Sequence, residues 1–255
     1  MKQCSGMKIA VFDSGIGGIT VLKELREQLP THDFIYYGDT ANVPYGTKSP
    51  SQIKKLVVAA AKKIKKLNVD ALVIACNTAS CVALEDCREI MGETPVYSVV
   101  EAGVTTIVRL LSQDSKTPVV VFGTKVTIRS KTYSTYLKDI LGNHLQISEQ
   151  ECPLLVPMIE EGWLDHPVLY QTVAEYVKPH LSLEPGIAFL ACTHYPWIKS
   201  VFEKAMPGWK IVDSAPQVCE MLTRHPLSHT SSETTGKITW KFSDPHTDPA
   251  SIIFR

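Results

Sequence analysis

The sequence predicts an α/β protein made of two related units, each with a mainly parallel sheet flanked by helices. Over its 255 residues, short β-branched runs alternate with longer helical patterns, an order that is typical of parallel sheets. Several of the runs are apolar throughout, as strands buried on both faces are. The two halves also resemble each other, because residues 72–78 are similar to 188–194 and residues 11–15 are similar to 121–125.

The elements follow one another in a regular order along the chain. The candidate strands are the apolar runs at 8–12, 34–37, 71–75, 96–99, 118–122, 145–147, 187–191 and 210–212. The clearest helix is 51–67, where Ile53 and Val57 fall on an apolar face and lysines cover the opposite, solvated face. The turn at 213–215 resembles the turn at 13–15, so we expect the chain to return to the first unit there. The predicted division is a discontinuous first domain, 1–98 plus 211–255, and a second domain, 99–210.

Composition and charge exclude several classes of protein. The chain has 26 Lys and Arg against 26 Asp and Glu, so nucleic acid is not an expected partner. No apolar run approaches the length of a membrane span, and Asp13 interrupts the first apolar stretch, which argues against a signal peptide. We therefore expect a cytoplasmic protein without a membrane partner, whose seven cysteines are free thiols.

Motifs for nucleotides and metals are incomplete. A glycine-rich turn at 15–18 follows the first strand, but Thr20 stands where the dinucleotide fingerprint requires glycine. His225 and His229 have the spacing of metal ligands, yet Pro226 opposes a regular helix there and no third ligand is evident. We expect neither a metal site nor a nucleotide cofactor.

Two cysteines occupy equivalent places in the two units. Cys76 and Cys192 each follow an apolar strand and precede a predicted helix N-terminus, where backbone N–H groups and the helix dipole favour a thiolate. Ligands collect at the carboxyl ends of parallel strands, so we expect both thiols to face one cleft. Acid–base groups on opposite faces of a bound carbon can invert its configuration: one thiolate removes the Cα proton, and the other thiol delivers a proton to the opposite face. Asp13 could assist Cys76, and His194 could assist Cys192.

At these residues the sequence resembles the glutamate racemases of the aspartate/glutamate racemase superfamily. The resemblance rests on six segments in the family's order, at 7–18, 37–48, 75–80, 122–125, 156–162 and 191–196. It runs from Met7 to about residue 218. The six residues before Met7 are an extension, and residues 237–255 match the family's final strand and helix only loosely.

The resemblance implies a cofactor-independent isomerase that interconverts L- and D-glutamate for peptidoglycan synthesis in a bacterial cytoplasm, and that forms a homodimer. It implies two pseudo-symmetric domains with the active site in the interdomain cleft. Cys76, supported by Asp13, would exchange a proton on the D-glutamate face. Cys192, supported by Glu160 and His194, would do so on the L-glutamate face. The residues that would hold the amino acid are Asp13, Ser14, Tyr45, Gly46, Asn77, Thr78, Thr124, Thr193 and His194.

Two other hypotheses remain open at this stage. The paired thiols also fit an aspartate racemase, a hydantoin racemase or a maleate isomerase, although the extended motif match favours glutamate. A two-lobed protein that clamps a small anion without catalysis is the third hypothesis. It would need neither a cysteine at both strand ends nor acid–base partners beside them.

Overall fold

The computed structural model describes residues 6–111, 116–225 and 234–248. These residues form the strands β1 (Lys8–Asp13), β2 (Asp33–Gly38), β3 (Ala71–Ile74), β4 (Val96–Ser98), β5 (Val119–Gly123), β6 (Ile147–Glu151), β7 (Ile187–Ala191), β8 (Lys210–Val212) and β9 (Ile238–Phe242). They also form the α-helices α1 (Ile19–Gln28), α2 (Pro50–Lys65), α3 (Asn77–Met91), α4 (Val99–Leu111), α5 (Lys125–Arg129), α6 (Thr132–Leu141), α7 (Leu155–Glu160), α8 (Pro167–Val177), α9 (Lys199–Ala205) and α10 (Ala215–Thr223). At least one helix separates each strand from the next, as the sequence pattern predicted.

The strands form two separate sheets. The first has the order β4-β3-β1-β2-β9 and the second the order β6-β5-β7-β8. Every neighbouring pair in both sheets is parallel. The predicted α/β class, with two parallel sheets flanked by helices, is therefore confirmed. Because all the strands of a sheet run the same way, their carboxyl ends meet at one edge, where ligands bind in such folds.

Helix α2 shows why the sequence folds as predicted in this region. It begins after Ser49, whose hydroxyl accepts from the Gln52 N–H while the Gln52 side chain accepts from the Ser49 N–H, a capping box that satisfies two helix-end donors. Pro50 occupies the first turn, where its missing N–H costs no hydrogen bond. The buried face includes Ile53 and Val57, and the lysines lie on the exposed face. The prediction of a helix over 51–67 is confirmed to within two residues at each end.

Helix α4 joins the two halves because it contributes to the cores of both sheets. Val99 and Ala102 pack with the first sheet, α1 and α10. Val104 and Ile107, on another face of the same helix, pack with β5, β7 and α6 of the second sheet. The opposite face of the first sheet packs against α2 and α3, and that of the second sheet packs against α7, α8 and α9. Helix α4 thus packs against both sheets.

Two of the four edge strands of the described sheets, β6 and β9, departed from the prediction. The candidate strand 145–147 is wrong, because β6 begins at Ile147 and runs through the polar residues 148–151. These residues are all half-buried, so a criterion based on apolar runs could not find an edge strand of this kind. The candidate strands also omitted β9, whose residues alternate between half-buried and exposed. The domain division stays a prediction; β8, which pairs with β7, crosses its boundary between residues 210 and 211.

Some features of the sequence lie outside the described residues, namely residues 1–5 of the N-terminal extension, His229 and residues 249–255. Within the described ranges, no helix combines the length and apolar character needed to cross a bilayer.

Candidate active site

A cavity of about 690 Å³, including its open mouth, lies where the carboxyl ends of the two sheets face each other. Both candidate cysteines line the cavity. Of the predicted site residues, those that line it are Ser14, Tyr45, Gly46, Cys76, Asn77, Thr78, Thr124, Glu160, Cys192, Thr193 and His194. Asp13 does not line the cavity and is fully buried behind it.

Cys76 lies between the end of β3 and the start of α3. Its sulfur caps the helix by accepting from the Ala79 N–H at 3.4 Å and lies 3.4 Å from the Ser14 hydroxyl oxygen. Burial raises the pKa of the Cys76 thiol to about 12, helped by the negative charge of Asp13 and only partly offset by these hydrogen bonds. The Ala79 N–H at the helix N-terminus lowers the pKa of Cys76, in the direction expected, but desolvation outweighs this effect and the thiol keeps its proton.

Asp13, the last residue of β1, connects the two halves from behind the cavity. One carboxylate oxygen accepts from the Gly15 N–H at 2.9 Å, and the other accepts from the Thr193 hydroxyl at 3.3 Å. Burial raises the pKa of Asp13, while the nearby His194 charge and these hydrogen bonds act in the opposite direction. Since Thr193 follows a strand of the second sheet, the carboxyl group links the site's two sides.

Cys192, His194 and Glu160 form a line of polar contacts on the other side of the cavity. The Cys192 sulfur is 4.0 Å from His194 Nδ1, and His194 Nε2 is 3.0 Å from a Glu160 carboxylate oxygen. Burial opposes protonation of His194, but its hydrogen bonds and charge attraction to Cys192 and Glu160 prevail and raise the pKa to about 10. The imidazole is therefore a cation near neutral pH, held between a sulfur and a carboxylate.

The backbone after Cys192 differs from the prediction of a helix N-terminus. Residues Tyr195–Ile198 form a 3₁₀ turn, and α9 begins only at Lys199. The Tyr195 N–H donates to the Cys192 carbonyl at 3.1 Å, the spacing of a 3₁₀ turn rather than of an α-helix. Cys192 therefore has an imidazolium beside it, whereas Cys76 has a helix end.

Three threonine hydroxyls form a cluster between the two halves at the wall of the cavity. The Thr78 hydroxyl is 2.9 Å from that of Thr124 and 3.3 Å from that of Thr127, and the last two are 3.1 Å apart. Thr124 also caps α5 by accepting from the Thr127 N–H. The sequence analysis missed Thr127, although its position three residues after a capping threonine is a signal that could have found it.

Asp39 is a second residue that the sequence analysis did not assign to the site. It is buried, and one carboxylate oxygen accepts from the Tyr45 hydroxyl at 2.6 Å. The other accepts from the Asn42 amide at 3.0 Å. Burial and this contact raise the pKa of Tyr45, so its phenol stays protonated as a donor. Asp39 thus fixes the loop that brings Tyr45 and Gly46 to the cavity.

Two glycines allow the halves to approach closely at the site. A Cβ on Gly17 would lie 2.4 Å from both His194 Nδ1 and the Thr193 hydroxyl oxygen. A Cβ on Gly46 would lie 2.9 Å from the Thr124 Cβ. Both distances are far inside van der Waals contact, so any larger side chain would displace cavity residues.

Among the described residues, no group of three or more His, Cys, Asp or Glu is arranged to hold a metal ion. The pair of His225 and His229, which the sequence analysis rejected as a metal site, cannot be compared with the structure, because His229 lies outside the described residues.

Comparison with known proteins gives one consistent result. Residues 17–222 match the family model described as Asp/Glu/Hydantoin racemase. A glutamate racemase of Sulfurihydrogenibium sp. is 43% identical over 232 residues, which cover 91% of this chain and 86% of that protein.

Solved structures extend the similarity to the whole fold. A glutamate racemase from Francisella tularensis, solved in complex with D-glutamate, has a TM-score of 0.86 and 33% identity, over 94% of this chain and 89% of that one. The Escherichia coli glutamate racemase, solved with L-glutamate and the activator UDP-MurNAc-ala, has a TM-score of 0.71 and 26% identity, over 90% and 85% of the two chains.

Proposed function

The chain belongs to the Asp/Glu/hydantoin racemase family and, within it, to the glutamate racemases, which are isomerases. From this premise we propose that it interconverts L- and D-glutamate by moving the Cα proton between the Cys76 and Cys192 thiols, without pyridoxal phosphate. The glutamate bound in the Francisella tularensis and Escherichia coli relatives supports a free amino acid as the substrate.

One observation carries the proposal: two sulfurs from equivalent strand ends of the two sheets line the same cavity. The two sulfurs are also near enough for the charge of one to affect the pKa of the other. Burial and the charge of Asp13 are the larger causes of the raised pKa of Cys76, but charge on Cys192 contributes as well. A substrate carbon between these sulfurs would have an acid–base group on either side, which is what inversion of a stereocentre requires.

The protonation states of the unliganded site suit reaction from L-glutamate. In the proposed reaction from L-glutamate, Cys192 lies beside the His194 cation, whose pKa is about 10, and acts as the base in its thiolate form. It takes the Cα proton, so that an S–H bond forms, the Cα–H bond breaks and the electron pair passes to Cα and the adjacent carboxylate. Cys76 holds its proton, because its pKa is about 12, and delivers it to the opposite face. The product is D-glutamate with Cys76 as the thiolate.

The reverse reaction uses the same groups with their roles exchanged. Cys76 becomes the base, with Asp13 taking up and returning the proton that Cys76 exchanges. His194 and Glu160 then keep Cys192 supplied with the proton that it donates. After each turnover, the thiol that gained the substrate proton releases it to solvent and the thiolate regains a proton from solvent, so the site returns to its starting protonation.

Neutral hydrogen-bond donors hold the substrate in this proposal. Hydrogen bonds to the carboxylate beside Cα become stronger as negative charge develops there, and so they lower the barrier. Residues that line the cavity and fit this task are Ser14, Asn77, Thr78 and Thr124 through their side chains, and Tyr45, Gly46 and Thr193 through their backbone N–H groups. The hydroxyl hydrogens of Tyr45 and Thr193 are given to Asp39 and Asp13.

Single replacements of the two cysteines test the mechanism. Cys76→Ser and Cys192→Ser should each abolish racemisation of both enantiomers while the protein stays folded. Cys81→Ser is the matched control, because Cys81 lies on α3, the helix that Cys76 caps, but does not line this cavity. In heavy water, the wild type should place deuterium at Cα without added pyridoxal phosphate. Wild-type racemisation by Cys76→Ser contradicts the two-thiol scheme.

The substrate and the biological role need separate measurements. A circular-dichroism assay over a panel of amino acids should show turnover of glutamate and not of aspartate or hydantoins. We propose that the D-glutamate enters peptidoglycan in the bacterial cytoplasm, so that cells lacking the chain need D-glutamate for growth. A homodimer is also proposed, and sedimentation at enzyme-assay concentrations tests it.

A further inference from the structure

Asn77 is the only carboxamide among the described residues that line the cavity. An asparagine side chain has an acceptor oxygen and a nitrogen with two donor hydrogens. It helps to bind a carboxylate only when the nitrogen faces the substrate, since the oxygen would repel it. The orientation of this amide therefore decides whether Asn77 assists binding or opposes it.

A tyrosine from the opposite half of the protein fixes that orientation. Tyr133, on α6, donates its hydroxyl hydrogen to the Asn77 carbonyl oxygen at 2.6 Å. Both side chains are buried, and the Tyr133 ring packs on Phe189 with centroids 5.2 Å apart. Burial raises the pKa of Tyr133 well above its ordinary value, so the phenol keeps the hydrogen that it donates.

The nitrogen of the same amide is free for a ligand. It donates to no group among the described residues. Within the described chain, two side-chain atoms are shielded from solvent and also lack a hydrogen-bond partner, namely His32 Nε2 and Glu149 Oε1. The Asn77 nitrogen is not one of them, so it is not shielded from solvent. The Asn77 nitrogen is therefore accessible, and Asn77 lines the cavity from which a ligand can reach it.

We propose that Tyr133 is a positioning residue that acts through Asn77, turning the amide donors of Asn77 toward a substrate carboxylate. The inference rests on the proposed function and deepens it, because it assigns a role to a residue outside the cavity. Since Tyr133 belongs to the second half and Asn77 to the first, the hydrogen bond also fixes this donor relative to the Cys192 side of the site.

Removing one hydroxyl tests the inference. Tyr133→Phe keeps the ring and its packing on Phe189 but lets the amide turn. Losing a hydrogen bond of this kind should weaken L-glutamate binding about five- to tenfold, measured as the dissociation constant by calorimetry and as KM, with a smaller change in kcat. Tyr136→Phe, the same change at an exposed position of the same helix, should leave both constants within about twofold of wild type.

A double-mutant cycle separates positioning from a general structural role. In an Asn77→Ala background, Tyr133→Phe should change the dissociation constant by less than about twofold, because the amide it orients is gone. An equal weakening in both backgrounds overturns the inference, as does wild-type affinity of Tyr133→Phe.

A second variant keeps the test decisive if Tyr133→Phe does not fold. Asn77→Asp retains an acceptor for Tyr133 but has no donor for the substrate, so it should bind glutamate at least about tenfold more weakly. Wild-type affinity of Asn77→Asp overturns the inference. Racemisation by the wild type is measured in parallel: its absence refutes the proposed function, whereas normal turnover with an unaffected Tyr133→Phe refutes only the role of Tyr133.

Discussion

Replacing Glu160 by glutamine changes one charge in the line of contacts that supports Cys192. In the native site, the Glu160 carboxylate lies 3.0 Å from His194 Nε2, and His194 is buried. Glutamine has nearly the same shape and can still accept from the imidazole N–H through its carbonyl oxygen. Glu160→Gln therefore removes the negative charge and leaves the geometry in place.

The expected effect is a lower pKa of His194. Hydrogen bonds that involve a charged group contribute about 1.5–3 kcal/mol, and one pKa unit corresponds to about 1.36 kcal/mol. Removing the charge should therefore lower the pKa of His194 by about one to two units, from about 10 in the native protein. The contact with Cys192 remains and keeps the pKa above the ordinary value of about 6.5.

An imidazole NMR titration measures this pKa directly in the absence of substrate, with His194→Asn as the variant that assigns the signal. Glu161→Gln is the matched control, because Glu161 is the exposed neighbour of Glu160. At about pH 9, racemisation from L-glutamate should also fall in Glu160→Gln, because the imidazolium beside Cys192 is lost. A His194 pKa within about half a unit of wild type, or an equal shift in Glu161→Gln, refutes the reasoning.

The same group makes stability depend on pH. Because the pKa of His194 is raised in the folded protein, its stabilisation is complete below about pH 6.5, the unfolded value, and is lost as the pH rises through about 10. In Glu160→Gln this loss should be complete at a lower pH. Urea unfolding across the alkaline range measures the difference, and identical pH profiles for the two proteins contradict the sign or the size of the effect.

Three further outcomes are expected. Gly17→Ala should lower kcat at least about tenfold with a cooperative unfolding transition retained, because the new methyl group would displace His194. Lys125→Ala should raise KM about threefold and weaken the salt dependence of kcat/KM, because Lys125 is the only Lys or Arg among the described residues that line the cavity. The control Lys62→Ala, on α2, should change neither KM nor this salt dependence. Alkylation of Cys76 without substrate should be slow at pH 7 and speed up about tenfold per pH unit, since its pKa is about 12.

Each of these has a contradicting result. Normal turnover by Gly17→Ala shows that the close approach to His194 does not matter for catalysis. Equal effects of the Lys125 and Lys62 replacements point to net charge rather than to the cavity wall. An alkylation rate at Cys76 that is already at its plateau near neutral pH contradicts a buried, protonated thiol.

The sequence was informative wherever function follows from a residue's place at a strand end. Cys76 and Cys192 follow buried strands, and the apolar composition of these strands made the strands recognisable in the sequence. A parallel sheet brings the carboxyl ends of its strands to one edge. The strands β6 and β9 were less predictable, because their exposure at the sheet edges removes the apolar run on which recognition depends.

Contacts between the halves could not be predicted from the sequence. Tyr133 meets Asn77, and Thr193 meets Asp13, only because two sheets far apart in the chain face each other. Neither pair has a periodic or local pattern. The protonation of Cys76 depends in the same way on how deeply the folded protein buries it, whereas the sequence shows only that a helix follows.

The most direct test of the two-thiol account is a crystal structure of the protein with glutamate bound. The account predicts that the sulfurs of Cys76 and Cys192 lie on opposite faces of the substrate Cα, each about 3.5 Å from it, the separation expected for reacting atoms. Two sulfurs on the same face of that carbon, or one of them beyond the reach of a proton transfer, contradict it.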